Sequence, residues 1–255
     1  MAARRALREE IVRRGLADVE DVNEVLATNR VRVNGAVVAN GASLVAASDS
    51  IAVIAPPARF VSRGGLKLEG ALEHFGIDVS QRLCLDAGSS TGGFTDCLLQ
   101  RGAQHVIAID VGRAQLHHKM ATDGRVTSWE STNILAVDGD KLAGVSGYET
   151  GAGVVVADLS FTSSAQIARH LVELAAPGAD LVILVKPQFE APRADVPVGG
   201  VVVDESVRLR AIEAVEAALA GGSARVVGRC ESPITGTEGN REYFVWAKCS
   251  TVGSQ

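Results

Sequence analysis

Long apolar runs are missing from this 255-residue sequence. Its longest uninterrupted stretches, such as residues 181–185, extend for only a few positions. A membrane-spanning helix needs about 20, so no membrane span is expected. Residues 1–15 are rich in Arg and Glu and lack the apolar segment of a secretory signal. Cysteine is scarce: Cys84, Cys97, Cys230 and Cys249 stand alone, with no short pair spacing. That pattern argues against a disulfide framework or a zinc knuckle, leaves no metal site to expect, and fits a reducing cytoplasm. A basic excess is absent too. There are 25 Lys and Arg against 30 Asp and Glu, for a net charge of −5, so charge alone does not announce a nucleic-acid binder.

What is present is enough to fold. Apolar residues make up 47% and charged residues 22%, the ordinary globular range and not that of a disordered chain. The length suits one large domain with a small appendage. Charge is uneven: Arg4, Arg5, Arg8, Arg13 and Arg14 concentrate positive charge in one helical stretch, a modest footprint for a polyanion or simply a solvated helix face.

The first 55 residues read as a small α+β unit. Ala6, Leu7, Ile11, Val12 and Leu16 recur at helical spacing, and Val22, Val25 and Leu26 repeat it after Gly15 and the acidic residues 18–21. Then the period changes to two. Val31 and Val33, then Asn34-Gly35, then Val37 and Val38 predict a hairpin, and residues 51–54 a further strand. Pro56-Pro57 opens a stiff linker over residues 56–62.

From residue 63 the reading is α/β. An amphipathic helix carries Leu66, Leu68, Ala71, Leu72 and Phe75. Seven strands are predicted at 83–86, 106–110, 126–129, 154–158, 181–186, 226–230 and 243–247, with helices at 93–101, 115–122, 163–175 and 205–220. Such alternation predicts a mostly parallel sheet covered on both faces. Ligands of these sheets bind at the carboxyl ends of the strands, where Asp86, Asp110, Asp158 and Lys186 stand.

The turn after the first of these strands reads LDAGSSTGGFTD, residues 85–96. No Lys follows its glycines, so it is not a phosphate-binding loop of the Walker type. Ser90 occupies the second glycine's place in G-x-G-x-x-G, which excludes the dinucleotide fingerprint and, with it, a nicotinamide dehydrogenase. Asp86 before the turn would repel a pyrophosphate and suit a cationic ligand, which points to S-adenosylmethionine. Asp110 ends the next strand and is positioned to accept from both ribose hydroxyls, or else to cap the following segment. Asn133, after the third strand, is the corresponding candidate for the adenine. Asp158 and Lys186 end neighbouring strands; they could orient and activate a hydroxyl, or satisfy each other as an ion pair.

Together with Lys67 and Glu242, the last two residues resemble the Lys-Asp-Lys-Glu set of 2′-O-ribose RNA methyltransferases of the FtsJ type. The phrases SRGGLKLEGAL, DAGSSTGGFTD, DVGRAQL, ADLSF, VKPQFE and GNREYFVWA resemble the TlyA, or haemolysin-like, group more closely still. The resemblance implies a Rossmann-like methyltransferase over residues 63–255, behind an RNA-binding domain of the ribosomal-protein S-four type over residues 1–55. It implies that Asp86, Gly88, Ser90, Thr91, Gly92, Asp110 and Asn133 bind S-adenosylmethionine. Lys186 would activate a 2′-hydroxyl, Asp158 and Glu242 would position it, and Lys67 would sit near the substrate. The substrate implied is a cytidine of ribosomal RNA, free or in ribosomal subunits. A relic fold serving only as a ribosome-associated RNA-binding protein is the alternative. The departure lies at residues 18–21, acidic here where family members commonly carry an Arg-bearing stretch, and an acidic segment repels a polyanion.

Overall fold

Changes of period in the apolar pattern become element boundaries in the structure, a computed structural model that describes residues 4–160 and 162–251. The chain divides into two units, Met1–Arg59 and Phe60–Gln255.

The first unit contains β1 (Arg4–Ala6), α1 (Leu7–Arg13), α2 (Val22–Ala27), β2 (Val31–Val33), β3 (Ala36–Val37), β4 (Leu44–Ala46) and β5 (Ile51–Val53). Leu7 and Ile11 of α1 meet Val22, Val25 and Leu26 of α2 in its core, with Val31, Val45 and Ile51 from the strands. The hairpin between β2 and β3 turns at Asn34 and Gly35, whose φ angles are +49° and +85°, as an Asn-Gly turn requires. One pairing is not visible in the sequence. Arg4–Ala6 is a strand, antiparallel to β4, although its residues read as the start of the helix. The arginine cluster is also divided. Arg13 and Arg14 both donate to the buried carboxylate of Glu10, holding it at a pKa of about 2; Arg5 approaches the same carboxylate at 4.0 Å, and Arg4, Arg5 and Arg8 are exposed.

The second unit begins at Phe60, whose ring is buried among Leu68, Leu72 and Phe94. It lies against Gly65, where a Cβ would come within 2.3 Å of the ring. The elements that follow are α3 (Gly64–Phe75), β6 (Leu83–Ala87), α4 (Gly93–Gln100), β7 (His105–Ile109), α5 (His118–Ala121), β8 (Val126–Trp129) and α6 (Gly139–Ala143). Then come β9 (Ala152–Ala157), α7 (Ser164–Glu173), β10 (Ala175–Val185), α8 (Pro187–Glu190), α9 (Glu205–Gly221), β11 (Ala224–Glu231) and β12 (Tyr243–Cys249). The seven strands run in the order β11-β12-β10-β9-β6-β7-β8. Strands β6 to β10 pair in parallel, and β12 enters antiparallel between β10 and β11.

Alternation along each strand feeds two cores. Leu181, Ile183 and Val185 of β10 join one, while Val182 and Leu184 join the other, as a strand covered on both faces must. Chain order reverses beside β6, which opens a crevice at the carboxyl ends of β6 and β9. The helix expected over 115–122 shortens to His118–Ala121. The Glu130 carboxylate accepts from the backbone N–H groups of Ala114, Gln115 and Leu116, which ties that stretch into a loop. Among the described residues, no helix is long and apolar enough to cross a membrane.

Candidate active site

Each candidate side chain stands where a strand or helix ends. Asp86 is the penultimate residue of β6, and Asp110, Asp158 and Lys186 immediately follow β7, β9 and β10. Glu242 immediately precedes β12. Because β12 is antiparallel, with Tyr243 opposite Val185, its beginning comes to the edge where the parallel strands finish. Lys67 lies in the first turn of α3.

Two Lys–carboxylate pairs result, one buried and one whose carboxylate, Asp158, is partly exposed. Lys67 Nζ donates to Glu242 Oε2 at 2.5 Å. Lys186 Nζ lies 2.6 Å from Asp158 Oδ1 as an ion pair. Lys186 Nζ also donates to Ser160 Oγ at 2.9 Å. Both lysines are 9% exposed and Glu242 is 3% exposed, a depth at which an unpaired charge is costly. All four line one cavity of about 630 Å³, together with Gly88, Ser90 and Thr91.

A second cavity, of about 490 Å³, is lined by Asp110, Asn133 and Leu135 and shares Gly88, Ser90, Asp158 and Ser160 with the first. The glycine turn forms the shared wall. Gly88 has φ +84°, and a Cβ there would come within 2.5 Å of the Asp158 carbonyl oxygen; only glycine lets the two loops approach so closely. Ser90 and Gly92 also have positive φ, +46° and +91°. Asp110 anchors this turn. Its Oδ2 accepts from Ser90 N–H at 2.8 Å and its Oδ1 from Gly112 N–H at 2.7 Å, and each carboxylate oxygen retains a lone pair for a further donor. The Asn133 side chain caps a short 3₁₀ turn by accepting from Leu135 N–H, and it lines the cavity as well.

Asp86 and Gly92 line neither cavity. Asp86 is fully buried beneath the turn, where Thr95 Oγ donates to its Oδ2 at 2.6 Å. Burial pushes its carboxyl up to about 7 against the pull of that hydrogen bond. Its Oδ1 has no partner. Gly92 has contact with α5 in place of a side chain: a Cβ would lie 2.9 Å from Leu116 and Met120. Ser160 escaped the sequence reading, because a serine after a strand carries no local signal that it will meet a lysine 26 residues away.

The walls fit a cationic nucleoside. Among the described residues, the second cavity has the carboxylates of Asp110 and Asp158 and no Lys or Arg, which disfavours a polyphosphate. Ile109, Ile134 and Leu135 supply apolar surface for a base, and the glycine turn admits backbone contact.

The sheet with one antiparallel strand, the glycine cradle and this cavity define a Rossmann-like methyltransferase that uses S-adenosylmethionine. Residues 60–249 match the FtsJ-like methyltransferase family, and the chain belongs to that family, in its TlyA group. It is 42% identical to the 16S/23S rRNA (cytidine-2′-O)-methyltransferase TlyA of Mycobacterium tuberculosis, over 98% of this chain and 92% of that one. It is 34% identical to the 23S rRNA (cytidine-2′-O)-methyltransferase TlyA of Campylobacter jejuni, over 73% of this chain and 70% of the other. A solved structure of a Streptococcus thermophilus protein described as a hemolysin is similar with a TM-score of 0.71 and 32% identity, covering 98% of this chain and 90% of that one.

Proposed function

We propose that this protein methylates the ribose 2′-hydroxyl of a cytidine in ribosomal RNA. The observation that carries the reading is the union of two Lys–carboxylate pairs in one cavity that shares Gly88 and Ser90 with a neighbour lined by Asp110 and apolar side chains. The names of the M. tuberculosis and C. jejuni relatives support the substrate class.

When bound, S-adenosylmethionine supplies an electrophilic methyl group on a sulfonium. Asp110 would hold its ribose, the turn through Gly88, Ser90 and Thr91 would cradle it, and Asn133 would meet the adenine. Lys186 holds its ammonium where negative charge develops on the attacking oxygen, and a preorganised cation in a sequestered site lowers that barrier. Asp158 and Ser160 aim the Lys186 ammonium. Lys67 and Glu242 form the opposite pair of the same wall and position the ribose. The first unit, with exposed Arg4, Arg5 and Arg8, would contact RNA phosphates, weakened by the acidic residues 18–21 and by the engagement of Arg13 and Arg14 with Glu10.

The test is methyl transfer from isotopically labelled cofactor to ribosomal subunits that lack 2′-O-methylation, small and large subunits separately, with nucleosides identified by mass spectrometry. Labelled 2′-O-methylcytidine is expected. Cofactor binding without transfer to either subunit would favour a relic fold that only binds RNA.

A further inference from the structure

The segment Lys186–Glu190 carries one acidic residue, Glu190, that does not line the catalytic cavity. The Glu190 carboxylate reaches back to the loop that follows β9. Its Oε2 accepts from Ser163 Oγ at 2.5 Å, its Oε1 from Ser164 N–H at 2.6 Å, and its Oε2 again from Ala165 N–H at 3.4 Å. These donors begin α7, where a carboxylate is favoured by the orphan N–H groups and the helix dipole.

The other end of this staple is fixed to Lys186. Pro187 confines Lys186 to an extended backbone, observed at φ −110° and ψ +102°. The Lys186 carbonyl then accepts from Phe189 N–H at 2.9 Å and Glu190 N–H at 3.3 Å. Glu190 is therefore locked to Lys186 through the backbone and to Ser163 and Ser164 through its side chain. Between Ser163 and β9 lie Asp158 and Ser160, the two groups that hold the Lys186 ammonium. One carboxylate thus closes a ring of chain that contains Lys186 and both of its partners.

We infer that Glu190 is a positioning residue for methyl transfer, setting the distance between the Lys186 turn and the Asp158–Ser160 loop. The inference rests on the proposed methyltransferase activity. Glu190 itself lines neither cavity, although Gln188 and Phe189 of its turn line the first, so its loss should reach the chemistry through the placement of that turn and of Lys186. A misplacement of about 1 Å is able to cost on the order of 10²-fold in rate.

The experiment measures single-turnover methylation of ribosomal subunits by the full chain, cofactor affinity by calorimetry and thermal stability, for the wild type, Glu190→Ala, Glu190→Gln, Lys186→Ala and the Glu190→Ala/Lys186→Ala pair. Glu190→Ala is expected to lower the rate at saturating substrates at least tenfold, with cofactor affinity and KM within about twofold. Glu190→Gln keeps the shape and one acceptor and should lie between Ala and wild type, which preserves the test where Glu190→Ala folds poorly. In the Lys186→Ala background, the Glu190 change should lower the residual rate no further. A Glu190 variant that melts earlier but turns over at the wild-type rate well below its melting temperature would overturn the inference, leaving Glu190 a helix cap. So would additive losses in the pair. Absence of methylation by the wild type would instead count against the proposed function.

Discussion

Gly236 leaves room for Glu242: a Cβ added at Gly236 would come within 2.5 Å of Glu242 Oε1. Glu242 has little freedom to retreat, because its other oxygen is held by Lys67 at 2.5 Å and the side chain is buried. Gly236 itself is fixed in the β11–β12 connection, donating to the Asn240 carbonyl. Gly236→Ala should therefore push the carboxylate away from Lys67 and lower single-turnover methylation about tenfold or more, with cofactor affinity unchanged. Full activity in this variant would remove the Lys67–Glu242 pair from the mechanism.

Lys186→Ala should lower the single-turnover rate on the order of 10²–10³-fold and spare cofactor binding. Lys186→Arg should also fail, because a planar guanidinium does not reproduce the ammonium's fit between Asp158 and Ser160. If the pair were only structural, Lys186→Ala would lower the melting temperature and keep catalysis, and Lys186→Arg would be nearly silent. Single-turnover rates and melting curves on both variants separate these outcomes.

Asp110→Ala should weaken S-adenosylmethionine binding about tenfold or more, the equivalent of one charge-assisted hydrogen bond of about 1.5–3 kcal/mol. The same change frees Ser90 and Gly112 N–H, so the loop should also become more mobile. Calorimetry on the folded variant is the measurement. Unchanged affinity would restrict Asp110 to tethering the turn.

Asp86 makes stability depend on pH. Its carboxyl titrates at about 7 in the folded protein and at about 3.9 in an unfolded chain. Between those values the folded state binds more protons than the unfolded state, so this group's contribution to stability falls as pH rises from about 4 to about 7 and is flat above. Asp86→Asn removes the titration. Urea unfolding at pH 5 and pH 8 should therefore show the variant gaining stability relative to wild type on going to pH 8. Parallel behaviour of the two proteins would mean that Asp86 is ionised in the fold across this range.

The strands of the second unit were legible as apolar runs, or as alternating ones in β8 and β11, flanked by turn residues. Residues 126–129 and the starts of β6, α4 and α9 fall where the pattern predicts. The glycine turn was legible for a local reason also: close approach and positive φ leave glycines in the sequence. Asp158 and Lys186 were found because a charge directly after a buried strand has few other uses. Their alternative reading as an ion pair describes the contact itself, and both also line the first cavity.

Lys67 and Glu242 had no local signature, and only the family resemblance singled them out. They are 175 positions apart, and they meet because β12 reverses direction and brings its first residues to the carboxyl edge of the sheet. Glu190 and Ser160 were invisible for the same reason. Composition and period, which act between near neighbours, determined which segments are strands and helices and which turn could cradle a ligand. The order of the strands, and hence which lysine meets which carboxylate, was decided by tertiary packing, since burying both faces of the sheet couples residues that no local pattern connects.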